Sequence, residues 1–391
     1  MNAMKLFNSK ENCCGCSACM NVCPKDAITM ELDADGNTYP VINSDLCVCC
    51  GMCQKVCNFQ SSAGRNPVLN AFAAVSKDSK IMMKSSSGGV FSALANAFII
   101  NGGIVYGCSL VREGTMLLPK HIRIDEINDI SKLQGSKYVQ SQIQMSYRQV
   151  KADLLADKTV LFSGTPCQID GLYGFLKGVQ YDNLFTVEII CHGVPGIGVF
   201  QNYLRHIENK EKGFVVDINF RDKAYGWGAK GSYSVSKNGK VIKRMISLHN
   251  SAYYRLFLDS MLYRENCYSC KYASKTRVAD ITIGDFWGVE VEHPEAVIKW
   301  KKEHGISCFL VNTAKGEKLK ERYATNIEFI DSSFEKVSRK NPMLLRPCKN
   351  NSNRSSVRKL FSTGGYSAVE KWCWKKQGLK RIAFLIADKL R

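Results

Sequence analysis

CCGCSACMNVCP (residues 13–24) and CVCCGMCQKVC (residues 47–57) decide how the rest of the chain is read. Cys13, Cys16, Cys19 and Cys23 keep a C-x2-C-x2-C-x3-C-P spacing, and Cys47, Cys50, Cys53 and Cys57 repeat it without the final proline. Gaps of two residues let a tight loop wrap three thiolates around one face of a 4Fe-4S cubane, while the fourth cysteine reaches a neighbouring cluster. The sets are therefore expected to cross: Cys13, Cys16, Cys19 and Cys57 for one cluster, Cys47, Cys50, Cys53 and Cys23 for the other. Gly15 and Gly51 fall where the backbone must pass close to inorganic sulfide. Asn58 stands where a proline usually follows the last cysteine, and Cys14 and Cys49 are surplus thiols beside ligand positions.

This doubled run is similar to bacterial two-cluster ferredoxins. Neither a disulfide framework nor a structural zinc site needs it. Such a head uses residues 1–62 of a 391-residue chain, so a larger domain must follow. The 18 cysteines suit metal or redox sites in a reducing compartment. No apolar run approaches the roughly 20 residues of a membrane span, and the N-terminus lacks a signal-peptide apolar region, so the expected location is cytoplasmic.

The net charge of +19 is unevenly placed. Residues 1–60 hold four Lys against six Asp or Glu, whereas residues 346–391 hold twelve Lys or Arg against Glu370 and Asp388. Basic charge attracts nucleic acid, acidic lipid or an acidic protein. No nucleic-acid module accompanies it, so nucleic acid is not expected as a partner. In the tail, Trp372, Trp374, Leu379, Ile382, Leu385, Ile386 and Leu390 alternate with Lys and Arg. That pattern makes 346–391 a candidate amphipathic segment for peripheral contact with the inner membrane face. Its apolar positions do not form one clean face, which favours a terminal helix docked on its own domain.

Residues 58–70 are polar with Gly64 and Pro67 and read as a linker. From there to residue 345 apolar strands alternate with helices: strands at 71–76, 104–111, 159–164, 184–191, 279–288 and 307–313, helices after Gly89, from about Gln142, near Cys167 and after Pro195. An antiparallel insertion with an Asn238-Gly239 turn lies between them. The expected class is α+β or α/β, a small dicluster ferredoxin domain followed by a larger α/β domain (70–345) with a mixed sheet.

Several turns at strand or helix ends carry chemistry. SSSGG (85–89) offers hydroxyls and backbone N–H groups to a phosphate, or simply caps a helix. GSKYVQS (135–141) combines a cation, an aromatic ring and small polar residues; Lys137 on a solvated surface and Tyr138 in the core is the plainer reading. SGTPC (163–167) and CHGVP (191–195) follow consecutive strands, where open α/β sheets bind ligands. Their cysteines, Cys167 and Cys191, would meet on one sheet edge. With the C-x2-C pair Cys267 and Cys270 they would complete a third 4Fe-4S site, although C-x2-C also suits zinc, and a strand-end cysteine often serves as a small apolar residue. His192 is a candidate proton donor, or a histidine satisfied by a backbone carbonyl. FRDKAYGWG (220–228) is a candidate wall for an anionic or aromatic ligand, or a charged turn. Cys108, Cys308, Cys348 and Cys373 have no partner at ligand spacing.

KSSSGGVFSALA, LQGSKYVQS, FSGTPCQIDGL, CHGVP, FRDKAYGWG, NCYSCKYA and ADITIGDFWG, in that order, resemble the beta-subunit family of coenzyme F420 hydrogenases and dehydrogenases, from about Ala71 to Thr313. The resemblance implies FAD held by Ser87, Gly88, Gly89, Gly135, Ser136, Lys137, Tyr138 and Thr165. It also implies a 4Fe-4S cluster on Cys167, Cys191, Cys267 and Cys270, with His192 and Lys137 as candidate catalytic groups. The expected function is an oxidoreductase passing electrons between a hydride carrier or small-molecule substrate at FAD and a one-electron redox protein partner. The alternative is a non-catalytic relay or accessory subunit, linked to surface-polysaccharide synthesis in many bacterial members of the family. The segment 346–391 lies outside the resemblance.

Overall fold

The computed structural model describes residues 5–61 and 65–378. The head is a two-stranded hairpin, β1 (Ile28–Leu32) and β2 (Thr38–Ile42), flanked by the two cysteine loops. Asp33 closes the hairpin, its Oδ1 accepting from the N–H groups of Asp35 and Asn37 at 3.0 and 2.9 Å. Each cysteine loop turns at a left-handed glycine, Gly15 at φ +67° and Gly51 at φ +71°, a conformation glycine adopts without the cost a Cβ imposes.

The larger part is built on an eight-stranded sheet. Its strands are β3 (Asn70–Ser76), β4 (Ile104–Glu113), β5 (Met116–Ile124), β6 (Val160–Gly164), β7 (Leu184–Ile189), β11 (Ile281–Asp285), β12 (Ser307–Val311) and β13 (Ile327–Ser332), in the order β13-β3-β12-β11-β7-β6-β4-β5. The four central strands β11, β7, β6 and β4 are parallel, and antiparallel pairs flank them. The sheet is thus mixed, as the sequence predicts. Strands β8 (Phe214–Asn219), β9 (Lys230–Lys237) and β10 (Lys240–Ser247) form a separate antiparallel sheet, β9 and β10 meeting at the turn of Asn238 and Gly239.

Two strands escape the sequence reading. β5 is an edge strand that tolerates Pro119 and buries Lys120 and His121, so its composition hides its period. β13 closes the far edge behind the helix Ala314–Tyr323.

The head is not a loosely tethered module. Its Ala18, Val22, Ile28, Cys53 and Val56 share one apolar core with Tyr106, Tyr147, Phe162, Ile169 and Leu172 of the sheet and its helices. Glycines permit the close approach. A Cβ on Gly171 would stand 2.8 Å from both Cβ and Sγ of Cys16, and one on Gly198 would stand 2.7 Å from Cα of Gly36. The described part of the expected linker is packed as well: Lys271 Nζ donates to Asn58 O and Ser61 O at 2.6 and 2.7 Å, and Leu69 N–H donates to Val311 O at 2.8 Å.

Within the tail, the helix Arg354–Gln377, interrupted at Gly365 (φ +63°), buries Val357, Tyr366, Val369 and Cys373 against the core of the antiparallel sheet. Docking therefore accounts for the tail as far as Gln377. Leu379, Ile382, Leu385, Ile386, Leu390 and the cations among them lie outside the described residues. No helix among the described residues is long and apolar enough to cross a membrane.

Candidate functional site

The carboxyl ends of the parallel strands open into a cleft of about 480 Å3. Ser163, Gly164 and Thr165 end β6, Ile190 to His192 follow β7, Gly284 and Asp285 end β11, and Cys108 faces it from β4. The Ser85–Ser87 turn with Gly89, and the run Gly135–Ser141, supply the remaining polar wall. Of the residues expected to hold a flavin, Ser87, Gly89, Gly135, Ser136, Lys137, Tyr138 and Thr165 all border this cleft, while Gly88 lies just beneath it. Gly88 has no room for a side chain, since a Cβ would sit 2.5 Å from Ala74 O. Its neighbour Gly89 turns at φ +80° into the 11-residue helix Val90–Ile100, whose first turn faces the cleft. Ser136 Oγ donates to Ser86 Oγ at 2.9 Å and ties the two segments together.

Two ammonium groups lie at this turn with no carboxylate partner among the described residues. Lys137 Nζ donates only to the carbonyls of Leu133 and Gln134, at 3.0 and 2.7 Å. It is half-buried, and desolvation in the cleft lowers its pKa, so it is not the solvated surface lysine that a plain reading expects. Lys223, from FRDKAYGWG, reaches under the serine turn and donates to Met82 O and Ser87 O at 2.5 Å each. Burial brings it down to about 8. A buried cation clamping a helix-entry turn suits a pyrophosphate, which accepts from free N–H groups and is attracted by the helix N-terminus. The donor set thus fits the phosphate half of FAD.

The opposite wall is aromatic and charged. Tyr138 stacks on Phe257 with ring centroids 4.2 Å apart. Arg221 pairs with Asp285 at 2.8 Å and lies over the Trp287 ring at 5.1 Å, while Trp227 Nε1 donates to Asp285 Oδ1 at 2.9 Å and stacks on Trp287 at 4.9 Å. Two histidines face the cleft. His121, which the sequence does not single out, has Nε2 on Ser163 O at 2.9 Å and Nδ1 on Ser141 Oγ at 3.0 Å. Burial pushes it down to about 4, so it is neutral and structural near pH 7. His192 is exposed in the cleft, and desolvation by the cleft walls lowers its pKa.

The thiols gather in three groups. Cys23, Cys47, Cys50 and Cys53 surround one small cavity with Ile28, Ile42, Val48 and Met52. Cys13, Cys16, Cys19 and Cys57 lie within electrostatic reach of one another, and burial pushes the thiol of Cys13 up to about 12 and also raises that of Cys19. A third group combines Cys167, Cys191, Cys267 and Cys270, with the Cys191, Cys267 and Cys270 thiols all raised by burial and by neighbouring thiols. The loop bearing Cys267 and Cys270 is held to the sheet by the buried pair Arg277 and Glu188, 2.5 Å apart. Cys348 joins this third group unannounced by the sequence, its Sγ donating to Cys267 O at 3.6 Å. Four clustered thiols would repel one another as bare thiolates, and the positive charge of iron would offset that cost. Among the described residues no three His, Cys, Asp or Glu side chains converge on a single metal ion. Cys49 is exposed at φ +55°, while Cys108, Cys308 and Cys373 pack separately.

Comparison with known proteins follows the same division. Residues 71–146 and 157–333 match the N-term and C terminus profiles of the coenzyme F420 hydrogenase/dehydrogenase beta subunit, and residues 12–61 match a 4Fe-4S dicluster domain. The chain is 25% identical over 191 residues to one component of the F(420)H(2) dehydrogenase of Methanosarcina mazei, covering 46% of this chain and 53% of that protein. It is 29% identical over 214 residues to an uncharacterized protein of Methanocaldococcus jannaschii, covering 45% and 58%. It thus spans little more than half the length of these two relatives. The head is 37% identical over 67 residues to the ferredoxin-type protein NapG of Escherichia coli, 14% of this chain and 29% of that one. A chain of the F420-reducing [NiFe] hydrogenase complex from Methanosarcina barkeri aligns with a TM-score of 0.47 at 18% identity, over 77% of this chain and 94% of that chain.

Proposed function

The chain belongs to the coenzyme F420 hydrogenase/dehydrogenase beta-subunit family with a fused 4Fe-4S dicluster head, and on that premise we propose an FAD-dependent oxidoreductase that exchanges electrons between a hydride carrier in the cleft and a one-electron protein partner at the head. One observation carries the reading: Cys191 borders the cleft and belongs to the third thiol group, and Cys14 stands beside both Cys167 of that group and Cys16 of the head. Thiols that run from the cleft into the head support a transfer of electrons between them.

Ser87, Gly88, Gly89, Gly135, Ser136, Lys137, Tyr138 and Thr165 would hold the FAD. The crossed sets of the head would hold two 4Fe-4S clusters, and Cys167, Cys191, Cys267 and Cys270 a third. Bound flavin supplies the exchange of a hydride's electron pair for single electrons, which 4Fe-4S clusters carry one at a time. The protein's own groups prepare that exchange. Lys223 and Lys137 fix the turns that present N–H donors, and Tyr138 with its stacked partners walls the ring side from water. His192 is the candidate group for moving a proton at the cleft, and Asp285, held by Arg221 and Trp227, bounds the side where a second planar ligand enters. A carrier of the coenzyme F420 type is the first to test, by likeness to the Methanosarcina mazei relative.

Anaerobic purification with iron, sulfide and flavin determination tests the reading. About twelve irons and one FAD per chain are expected from three 4Fe-4S clusters. Eight irons would remove the third cluster, absence of flavin would leave a relay subunit, and zinc without sulfide would end the redox reading.

A further inference from the structure

Four arginines are buried among the described residues, and three of them have an acid beside them. Arg221 pairs with Asp285 at 2.8 Å, Arg277 with Glu188 at 2.5 Å and Arg354 with Glu265 at 2.8 Å. Arg264, the fourth and the deepest at 0% exposed, has only neutral partners there. Its Nη1 donates to Thr38 O and Gln140 Oε1 at 2.9 Å each, Nη2 to Cys13 O at 3.3 Å and Nε to Asn266 Oδ1 at 3.3 Å. Its chain neighbour Glu265 is taken by Arg354 and Arg358. A buried charge without a counter-charge is costly, and hydrogen bonds to neutral oxygens offset only part of that cost. The guanidinium lies on the first cysteine loop, where a Cβ on Gly15 would stand 3.1 Å from its Cζ and from its Nη2. Its backbone is pinned as well, since Arg264 N–H donates to Val194 O at 3.0 Å and Cys267 N–H donates to Arg264 O at 3.1 Å.

We propose that the missing counter-charge is the first head cluster, the one assigned to Cys13, Cys16, Cys19 and Cys57, and that Arg264 is a positioning residue whose fixed positive charge favours that cluster's reduced state. A 4Fe-4S cube with four thiolate ligands is net negative and becomes more so when it accepts an electron, and its net charge and hydrogen bonding set its potential. A cation held close by in a low-dielectric interior is attracted more strongly to the reduced form. Arginine suits the place because it keeps its charge when buried, and its planar fork lets the carbonyls of Thr38 and Cys13 and the amide of Gln140 fix where the charge stands. Arg264 gains and loses no proton in this role, and no bond is made or broken.

The inference rests on the two-cluster reading of the head, and the experiment separates the two. Wild type, Arg264→Lys, Arg264→Gln and Gln140→Glu are purified anaerobically, counted for iron and titrated by EPR. A wild type without 4Fe-4S signals would sink the parent reading and the inference with it. With the clusters present, Arg264→Gln should lower one midpoint by about tenfold in the reduction equilibrium, about 59 mV for one electron, and leave the others in place. Arg264→Lys, which keeps the charge and loses the fork, should stay within about twofold of wild type. Should Arg264→Gln lose iron, Gln140→Glu carries the test: it sets a carboxylate against Nη1 in place of the amide oxygen and should lower the same midpoint at full iron content. An unchanged midpoint at full iron in either neutralising variant, or equal shifts in Arg264→Lys and Arg264→Gln, would overturn the inference. Iron loss from both Arg264→Gln and Gln140→Glu would leave Arg264 a structural support alone and overturn it as well.

Discussion

The side-chain amide of Asn58 donates to both the backbone oxygen and the carboxylate of Asp170, at 3.1 and 3.0 Å. Asn58 occupies the position after Cys57 where the ferredoxin pattern has proline, and the departure is explained by what proline lacks, a donor that can reach the helix Pro166–Phe175. Replacing Asn58 by Pro restores the pattern and removes both bonds, leaving Asp170 with Tyr272 as its hydroxyl partner. Stability should fall by about 1–3 kcal/mol, the cost of stranding a buried acceptor. Anaerobic denaturant titration measures it, and iron content should stay at the wild-type value.

Gly171 offers a second probe of the same seam. An added Cβ would meet Cys16 Cβ and Sγ at 2.8 Å and the Tyr147 hydroxyl at 2.9 Å, and none of these can move without shifting the cysteine loop. Gly171→Ala is expected to cost about 1–3 kcal/mol through overpacking. It should also alter the EPR line shape of one head cluster while leaving the other as in wild type.

Lys223 gives a pH dependence with two opposite signs. Its pKa in the folded protein is about 8 against an ordinary lysine value of 10.5. Between these limits the unfolded chain binds more protons, so this residue's contribution makes stability rise with pH. Over the same range the turn loses its cation, so FAD affinity should fall, by about tenfold for the loss of roughly 1.4 kcal/mol of charge-assisted attraction. Lys223→Arg, which stays protonated, should flatten the affinity profile between pH 7 and 10 in a fluorescence titration of flavin-depleted protein.

Cys50 is exposed at the surface of the head. Cys50→Ser should leave flavin reduction by a hydride donor within about twofold of wild type and abolish electron delivery to a protein acceptor, since transfer to a partner needs close approach at the surface. Stopped-flow absorbance follows the first and acceptor reduction the second. Loss of flavin reduction itself would count against the arrangement.

Much of this was legible in the sequence because it depends on local spacing. The doubled cysteine run predicts the crossed groupings, since two-residue gaps fix a loop's curvature whatever surrounds it. Alternating apolar strands and helices predict the parallel centre, and SGTPC and CHGVP predict which strand ends meet. What stayed hidden depends on contacts between distant segments. Lys223 looks like part of a charged turn until Met82 and Ser87 are folded over it. Cys348 follows the family-like region yet packs on Cys267. Cys14 reads as a spare until Cys167 is brought against it. β5 stayed hidden for another reason: Lys120 and His121 are buried and satisfied by Glu113, Ser163 and Ser141, so polarity there does not signal solvent.

Arg264 is wholly buried, and its guanidinium donates to Thr38 O of the head at 2.9 Å and to Gln140 Oε1 at 2.9 Å while covering the Tyr39 ring at 4.4 Å. Cutting the chain between head and sheet would leave that charge facing an empty socket, and the excised ferredoxin would expose carbonyls and apolar surface that it cannot cover alone. The head is therefore not interchangeable with a free-standing ferredoxin. A graft of another ferredoxin onto this scaffold must bring a carbonyl and a ring to Arg264, so the fused protein is inherited, and must be engineered, as one piece.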